Sequence, residues 1–165
     1  MTRILLISDT HGHFDEKLLK YIDTVDEVWH AGDIGDLEVC DKIEGLKPLR
    51  AVFGNIDDTA ARKRYPEHNV FVCEKVKVLI THIGGYPGKY SPAARKMIER
   101  ERPGIFICGH SHILKVMYDK QHNLLHLNPG AAGVHGFHQV KTVLRFAIDG
   151  GEIKDMQVIE LGKRA

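Results

Sequence analysis

Short apolar runs alternate along the chain with polar junctions rich in glycine, aspartate and histidine. Arg3 to Ser8 carries four consecutive aliphatics, Ile4-Leu5-Leu6-Ile7, a run of strand length that predicts a strand buried on both faces. Asp15 to Thr24 sets Leu18, Leu19 and Ile22 on one face of a helix. Glu27 to Ala31 predicts a second strand and Leu37 to Leu46 a helix that stops near Gly45 and Pro48. Leu49 to Phe53 predicts a third strand, and Thr59 to Arg64 a short helix before Pro66. Two closely spaced β runs come next, Val70 to Glu74 and Val76 to Thr81. Ser91 suits a helix N-cap with Pro92 in the first turn, and that helix runs to about Arg102, where Pro103-Gly104 halts it. Ile105 to Cys108 is again a buried strand. From there the pattern is all strand: Lys115 to Asp119, Leu124 to Leu127, Thr142 to Asp149 and Glu152 to Leu161. Asp149-Gly150-Gly151 makes the last two a hairpin. An α/β front half feeding a β-rich tail predicts sheets packed as a sandwich with helices outside. No repeat or Pro/Ser-rich linker interrupts the 165 residues, so residues 1–165 are expected to form one domain.

The bulk properties narrow the possible partners. A formal net charge of +1 supplies no field to draw in nucleic acid or an anionic membrane, and neither is expected as a partner. Arg62-Lys63-Arg64 is too short a basic run to change this, and Arg95, Lys96, Arg100 and Arg102 are interleaved with Glu99 and Glu101, as on a solvated helix face. The three cysteines, Cys40, Cys73 and Cys108, form no Cys-x-x-Cys pair, and their odd number argues against a disulfide framework. Cys73 and Cys108 lie in apolar strand runs, where a thiol behaves as a small buried hydrophobe. The run from Ile4 to Ile7 is too short for a leader, and no stretch approaches the roughly 18 apolar residues of a membrane span. A cytoplasmic protein is expected. Eleven histidines direct attention to metal ligation.

The chemistry lies in the residues just past each strand. The first strand ends in Ser8-Asp9-Thr10-His11, the second in Gly32-Asp33, the third in Gly54-Asn55-Ile56-Asp57, the run to Thr81 in His82, and the run to Cys108 in Gly109-His110-Ser111-His112. Five strands thus each deliver a possible metal ligand at the carboxyl end, where α/β sheets place their ligand sites. Taken singly, Asp9-Thr10-His11 reads equally as a capping loop, Gly32-Asp33 and Gly54-Asn55 as turns, and His82 as a satisfied loop histidine. Only His110 and His112 after a buried strand lack a folding rationale. Together, two Asp, one Asn and four His suit Mn, Fe, Zn, Ni or Co rather than an all-oxygen magnesium or calcium cage.

The order Asp-x-His, Gly-Asp-x-x-Asp, Gly-Asn-x-Asp, His and Gly-His-x-His resembles the calcineurin-like metallophosphoesterase superfamily, in particular its small bacterial and archaeal phosphodiesterase branch. The resemblance runs from Asp9 to about Gly133. It implies an α/β (α+β) fold, a four-layer αββα sandwich of two mixed β-sheets flanked by helices. It also implies two divalent metal ions, manganese foremost. Asp9, His11 and His112 would hold one ion, and Asn55, His82 and His110 the other, with Asp33 bridging; Asp33, Asn55 and His82 are the expected catalytic residues. Two cations about 3.5–4 Å apart would make water nucleophilic at neutral pH and polarise a small phosphoester substrate. Asp36 is expected at a helix start, His30 behind the ligands, and Asn128-Pro129-Gly130 in a turn. Many relatives carry a histidine after Gly-Asn that is taken to protonate the leaving group. Here Ile56 fills that slot, leaving His13, Asp57, Asp58, His135 and His138 as candidate acids, with His135 and His138 equally readable as surface residues. A phosphomonoesterase or nucleotide phosphatase of the same fold, and an interaction scaffold like a retromer subunit that shares it, are the alternative functions. A homo-oligomer is left open.

Overall fold

The unbroken aliphatic run near the N-terminus is needed because both faces of that strand are covered. In the computed structural model, which describes residues 1–165, β1 (Thr2–Ile7) sends Leu5 and Ile7 to one side and Ile4 and Leu6 to the other, and none of the four is exposed. Side chains alternate across a strand, so each face feeds a separate core. The chain continues through α1 (Leu18–Ile22), β2 (Glu27–His30), α2 (Glu38–Glu44), β3 (Leu49–Ala51), α3 (Thr59–Arg64), β4 (His68–Cys73), β5 (Val76–Thr81), β6 (Gly85–Tyr86), β7 (Lys89–Tyr90), α4 (Pro92–Glu101), β8 (Ile105–Ile107), β9 (Lys115–Asp119), β10 (Leu124–Asn128), β11 (Val140–Asp149) and β12 (Glu152–Lys163).

Two five-stranded mixed sheets result, in the orders β12-β11-β1-β2-β3 and β4-β5-β8-β10-β9, with β6 and β7 as a small separate hairpin. In the first sheet β1, β2 and β3 are parallel, and β11 and β12 run antiparallel. Ile4, Leu6, Trp29, Leu144 and Phe146 of this sheet meet Val78, Ile80, Ile105, Ile107 and Leu127 of the second, which forms the core between the sheets. On the outer side Leu5, Ile7 and Val28 pack against Leu18 and Ile22 of α1 and Val39 and Ile43 of α2. Beyond the second sheet, Leu79, Phe106 and Leu124 pack against Ala94, Met97 and Ile98 of α4. The layers are therefore helix, sheet, sheet, helix, as expected. No helix is long and apolar enough to cross a membrane.

Several local expectations need correction. The first helix is a single short stretch, and Leu19, expected on its buried face, is 41% exposed because Leu18 and Ile22, four apart, take the core positions. β4 begins at His68 and alternates exposed and covered positions, leaving Val72 64% exposed. That is the signature of an edge strand covered on one face. β3 is only partly buried, since Leu49 and Arg50 lie at the margin of the first sheet. The hairpin of β6 and β7 was not anticipated; its turn at Pro87-Gly88 was the available cue. α4 conforms closely, with Ser91 Oγ accepting from the Ala94 amide and Pro92 in the first turn.

One ion pair fastens β11 to the loop before α1. Lys141 Nζ donates to Asp15 Oδ2 at 2.6 Å, with both residues buried. Burial alone would raise the Asp15 carboxyl, but the Lys141 ammonium and the Lys17 amide outweigh it and hold it below its ordinary value. A depressed carboxyl contributes stability that is full above the ordinary range near pH ~4 and lost as the pH falls through its folded-state value. Asp15→Ala, which strands a buried ammonium, is expected to cost about 3 kcal/mol at neutral pH. Asp15→Asn should flatten the acid limb of stability against pH; denaturant titrations from neutral pH to pH ~3 check both outcomes.

Candidate metal centre

All seven residues singled out from the sequence sit on loops at one edge of the sandwich, after β1, β2, β3, β5 and β8. These loops are stitched together by their own backbones. Asp9 N donates to Gly32 O, His11 N to Asp33 O, Gly109 N to His82 O and Gly133 N to Asp9 O. The conformations are costly: Asp9, His11, Asp33, His110 and His112 all have positive φ, between 45° and 70°. Non-glycine residues take that region rarely, and such strain concentrates at functional sites. Gly54 must lack a side chain, because a Cβ there would overlap the Asp33 carboxylate and its backbone nitrogen.

Each carboxylate divides its two oxygens between the protein and the cavity. Asp9 Oδ2 accepts from Ser8 Oγ at 2.6 Å and from the His110 amide at 3.1 Å. Its Oδ1 faces three imidazoles, 3.2 Å from His112 Nε2 and 3.8 Å from both His11 Nε2 and His82 Nε2. Asp33 Oδ1 accepts from the Ile56 amide, while Oδ2 lies 3.1 Å from His82 Nε2 and 3.5 Å from His11 Nε2. The geometry gives two groups able to hold a cation, Asp9 with His11 and His112, and Asp33 with His82 and His110. Asp33 Oδ2 sits between them. Asn55 Oδ1 lies 3.0 Å from His110 Nδ1, beside the second group.

The protonation pattern fits a cation. His82 Nδ1 lies 2.7 Å from Ala31 O, which can only accept, so Nδ1 carries a proton and the neutral ring presents its Nε2 lone pair to the centre. Asp9 Oδ1, His11 Nε2 and His82 Nε2 are all buried without a hydrogen-bond partner. Orphaned groups of this kind are rare and demand an explanation, and two divalent ions would satisfy them, one beside Asp9 and His11 and the other beside His82. Burial pushes the Asp9 carboxyl up, but the facing imidazoles of His11, His112 and His82 bring it far below its ordinary value. Burial also disfavours the charged form of His82, yet Asp33 and Asp9 raise its pKa overall. Two buried carboxylates thus recruit positive charge from every side.

A calcineurin-like phosphoesterase superfamily model matches residues 2–151. The chain belongs to that superfamily. A protein of Methanothermobacter thermautotrophicus named "Probable metallophosphoesterase" is 26% identical over 162 residues, 95% of this chain and 91% of its own. The zinc complex of Vps29 from Entamoeba histolytica superposes with a TM-score of 0.72 at 19% identity, covering 97% of this chain and 99% of that one. A structure described as a novel archaeal phosphodiesterase gives 0.71 at 21%, covering 95% and 99%. At those identities the two structures establish the fold alone.

Around the candidate metal centre of this calcineurin-like phosphoesterase superfamily member, several residues have roles that differ from those their sequence positions allowed. Asp57 is no candidate acid: it is buried, and its carboxylate accepts from the backbone amides of Ile34, Gly35 and Gly54. It thereby clamps the Asp33 loop to the Asn55 loop. Asp58 caps α3 through the Ala61 amide, and Asp36 accepts from the Glu38 amide at the start of α2. His13 borders neither cavity beside the centre. His30 is fully buried behind the loops. Thr10 Oγ1 donates to Ile34 O and so accepts from His30 Nε2, while His30 Nδ1 accepts from the Gly32 amide. Burial lowers its pKa to about 4, keeping it neutral. Asn128 reaches from the end of β10 to Gly109 O and Ser111 Oγ, steadying the His110 loop. His135 stacks on His11 with ring centroids 4.7 Å apart, and His138 meets the His112 ring edge-on at 5.1 Å, so both belong to the centre's surroundings rather than to open surface. All three cysteines are free and buried, and burial lifts the Cys108 thiol to about 12, leaving it protonated.

The Asp57 clamp was legible only as the last letter of Gly-Asn-x-Asp. Asp57→Asn keeps the size but turns a donor toward at least one of three amides. We expect it to lower stability by about 2 kcal/mol. It should also weaken divalent-metal binding although the side chain does not face the cavity. Thermal denaturation and elemental analysis of the purified variant measure the two effects.

Proposed function

We propose that this chain is a phosphodiesterase that works with two divalent cations, manganese foremost. Asp9, His11 and His112 would hold one cation, and His82, His110 and Asn55 the other, with the Asp33 carboxylate placed to serve both. The observation that carries the proposal is the set of buried, unpaired atoms, Asp9 Oδ1, His11 Nε2 and His82 Nε2, converging on one space. Bound there, the cations supply Lewis-acid polarisation of the phosphoryl oxygens and a water that is nucleophilic at neutral pH. The shared Asp33 carboxylate offsets repulsion between like charges. Asn55 contributes a neutral oxygen and adds no negative charge facing an anionic ester. Ala31 O fixes the His82 tautomer, so that its lone pair is set before a ligand arrives.

Two features favour a diester over a monoester. Two cavities of about 460 and 560 Å³ share Asn55 in their lining, which offers a separate recess to each organic arm of a diester. The first is lined by no lysine or arginine, so the extra charge of a dianionic monoester would meet no permanently cationic side chain there. Arg62 borders the second cavity, but its Nε is engaged with Asp57 O and its guanidinium lies over Phe53. The likeness to Vps29 supports the alternative of an interaction scaffold. Against it, a scaffold gains nothing from burying three unpaired polar atoms at a cost of about 1–3 kcal/mol each. Three free, buried thiols are in keeping with a cytoplasmic location.

Protein stripped of metal is expected to hydrolyse bis(p-nitrophenyl) phosphate negligibly and to recover on addition of Mn²⁺. Asp33→Ala should lose more activity than any other single change among the seven residues. Full turnover by protein shown metal-free by elemental analysis would overturn the reading.

A further outcome concerns Ile56, which is 46% exposed beside the centre and cannot donate a proton. General acid assistance is worth about 10²–10⁴-fold and matters most for basic leaving groups. The rate should therefore fall steeply with leaving-group pKa, and Ile56→His should flatten the dependence. A shallow slope in the unmodified protein would show that a competent acid is already present.

A further inference from the structure

The segment between β10 and β11 is held at both ends and presents its tip to solvent. Ala132 N donates to Ser8 O and Gly133 N to Asp9 O, which fixes the near end against the metal centre. At the far end His138 Nε2 donates to Gly133 O at 2.8 Å, and Arg164 Nε donates to His138 O at 2.7 Å. Between these ties His135 stacks on His11, and Gly136 lies so close to His112 that any Cβ would overlap its imidazole. The tip is therefore registered to the proposed ligands. Its outermost residue, Phe137, is nonetheless 99% exposed and lines the first cavity.

Single exposed hydrophobics are ordinary, but this one is not isolated. Ile113, 63% exposed, and Ile56, 46% exposed, border the same cavity, so the metal donors lie within an apolar rim. A concentration of exposed apolar side chains around a polar site marks a place where a ligand is covered. Lysine and arginine are both missing from that lining, so the occupant presents no second phosphate or carboxylate there. A cavity of about 460 Å³ also exceeds what a methyl or ethyl arm would fill, being in the range of small-molecule sites.

We propose that Phe137 is a specificity-determining residue that stacks on an uncharged aromatic group carried by one arm of the phosphodiester, such as a nucleobase or an aryl ring, with Ile113 and Ile56 covering its edges. This rests on the metal-centre reading above and adds the substrate class. Aromatic side chains that stack on bases typically contribute about 1–3 kcal/mol, or roughly five- to over a hundredfold in affinity.

Two measurements on manganese-loaded protein separate this inference from the function it rests on. Calorimetry compares phenylphosphonate with methylphosphonate, whose P–C bonds are not hydrolysed. The unmodified protein should bind the phenyl compound about tenfold more tightly, Phe137→Ala should abolish the preference, and Phe137→Tyr should keep it. Kinetics with bis(p-nitrophenyl) phosphate should show Phe137→Ala raising KM about tenfold, by a larger factor than it lowers kcat, with Phe137→Tyr restoring KM. Turnover without a phenyl preference overturns the stacking role alone. A phenyl preference without turnover of any diester overturns the hydrolase reading and upholds the aromatic site. Equal impairment of the Ala and Tyr variants in both assays shows a loop-packing role and overturns the proposal.

Discussion

Two carboxylates, Asp9 and Asp33, are buried at the junction of five loops, and each keeps only one oxygen for the protein. Taking a carboxylate out of water is expensive unless positive charge compensates it. The surrounding architecture is organised to supply that charge. Four imidazoles gather around the two carboxylates, and one of them, His82, is held in the tautomer that exposes a lone pair. The valences that the imidazoles leave unpaired are those that two cations would complete.

The cost of this arrangement is carried by the backbone and by residues that never reach the cavity. Positive φ at Asp9, His11, Asp33, His110 and His112 aims side chains inward from chain segments that would otherwise run on as strands. Such conformations persist because the loops are over-determined. Asp57 ties two of them through three amides, His30 and Thr10 brace two, and Asn128 holds the loop that carries His110 and His112. The central sheets provide the fixed edge from which all the loops depart. On that edge the segment carrying Phe137 adds an exposed apolar rim beside the cavity.

Much of this was legible beforehand. Continuous apolar runs such as Ile4-Leu5-Leu6-Ile7 announced strands covered on both faces, and the polar residue after each run announced a site at the carboxyl ends. Less was legible where periodicity is weak. Leu19 fits a helical face equally well in or out, and a five-residue helix leaves the packing partner to choose. Asp57 read as a possible acid because an aspartate after Gly-Asn carries no mark of whether it will face solvent or three backbone amides. His135 and His138 could not be sorted from surface histidines, since a glycine-rich segment has no period to place them.

Hydrophobic alternation and short-range chemistry are local properties of the chain. They were enough to set the strands, the helices on either side and the order in which metal-binding side-chain types recur. Three-dimensional packing settled which carboxylate oxygen is left free, which histidine nitrogen bears the proton, and that Asp57 clamps two loops instead of facing the cavity. Most of the hydrogen-bond partners behind those outcomes lie 22 to 101 residues away in the chain, and no local pattern records which distant amide or carbonyl will arrive.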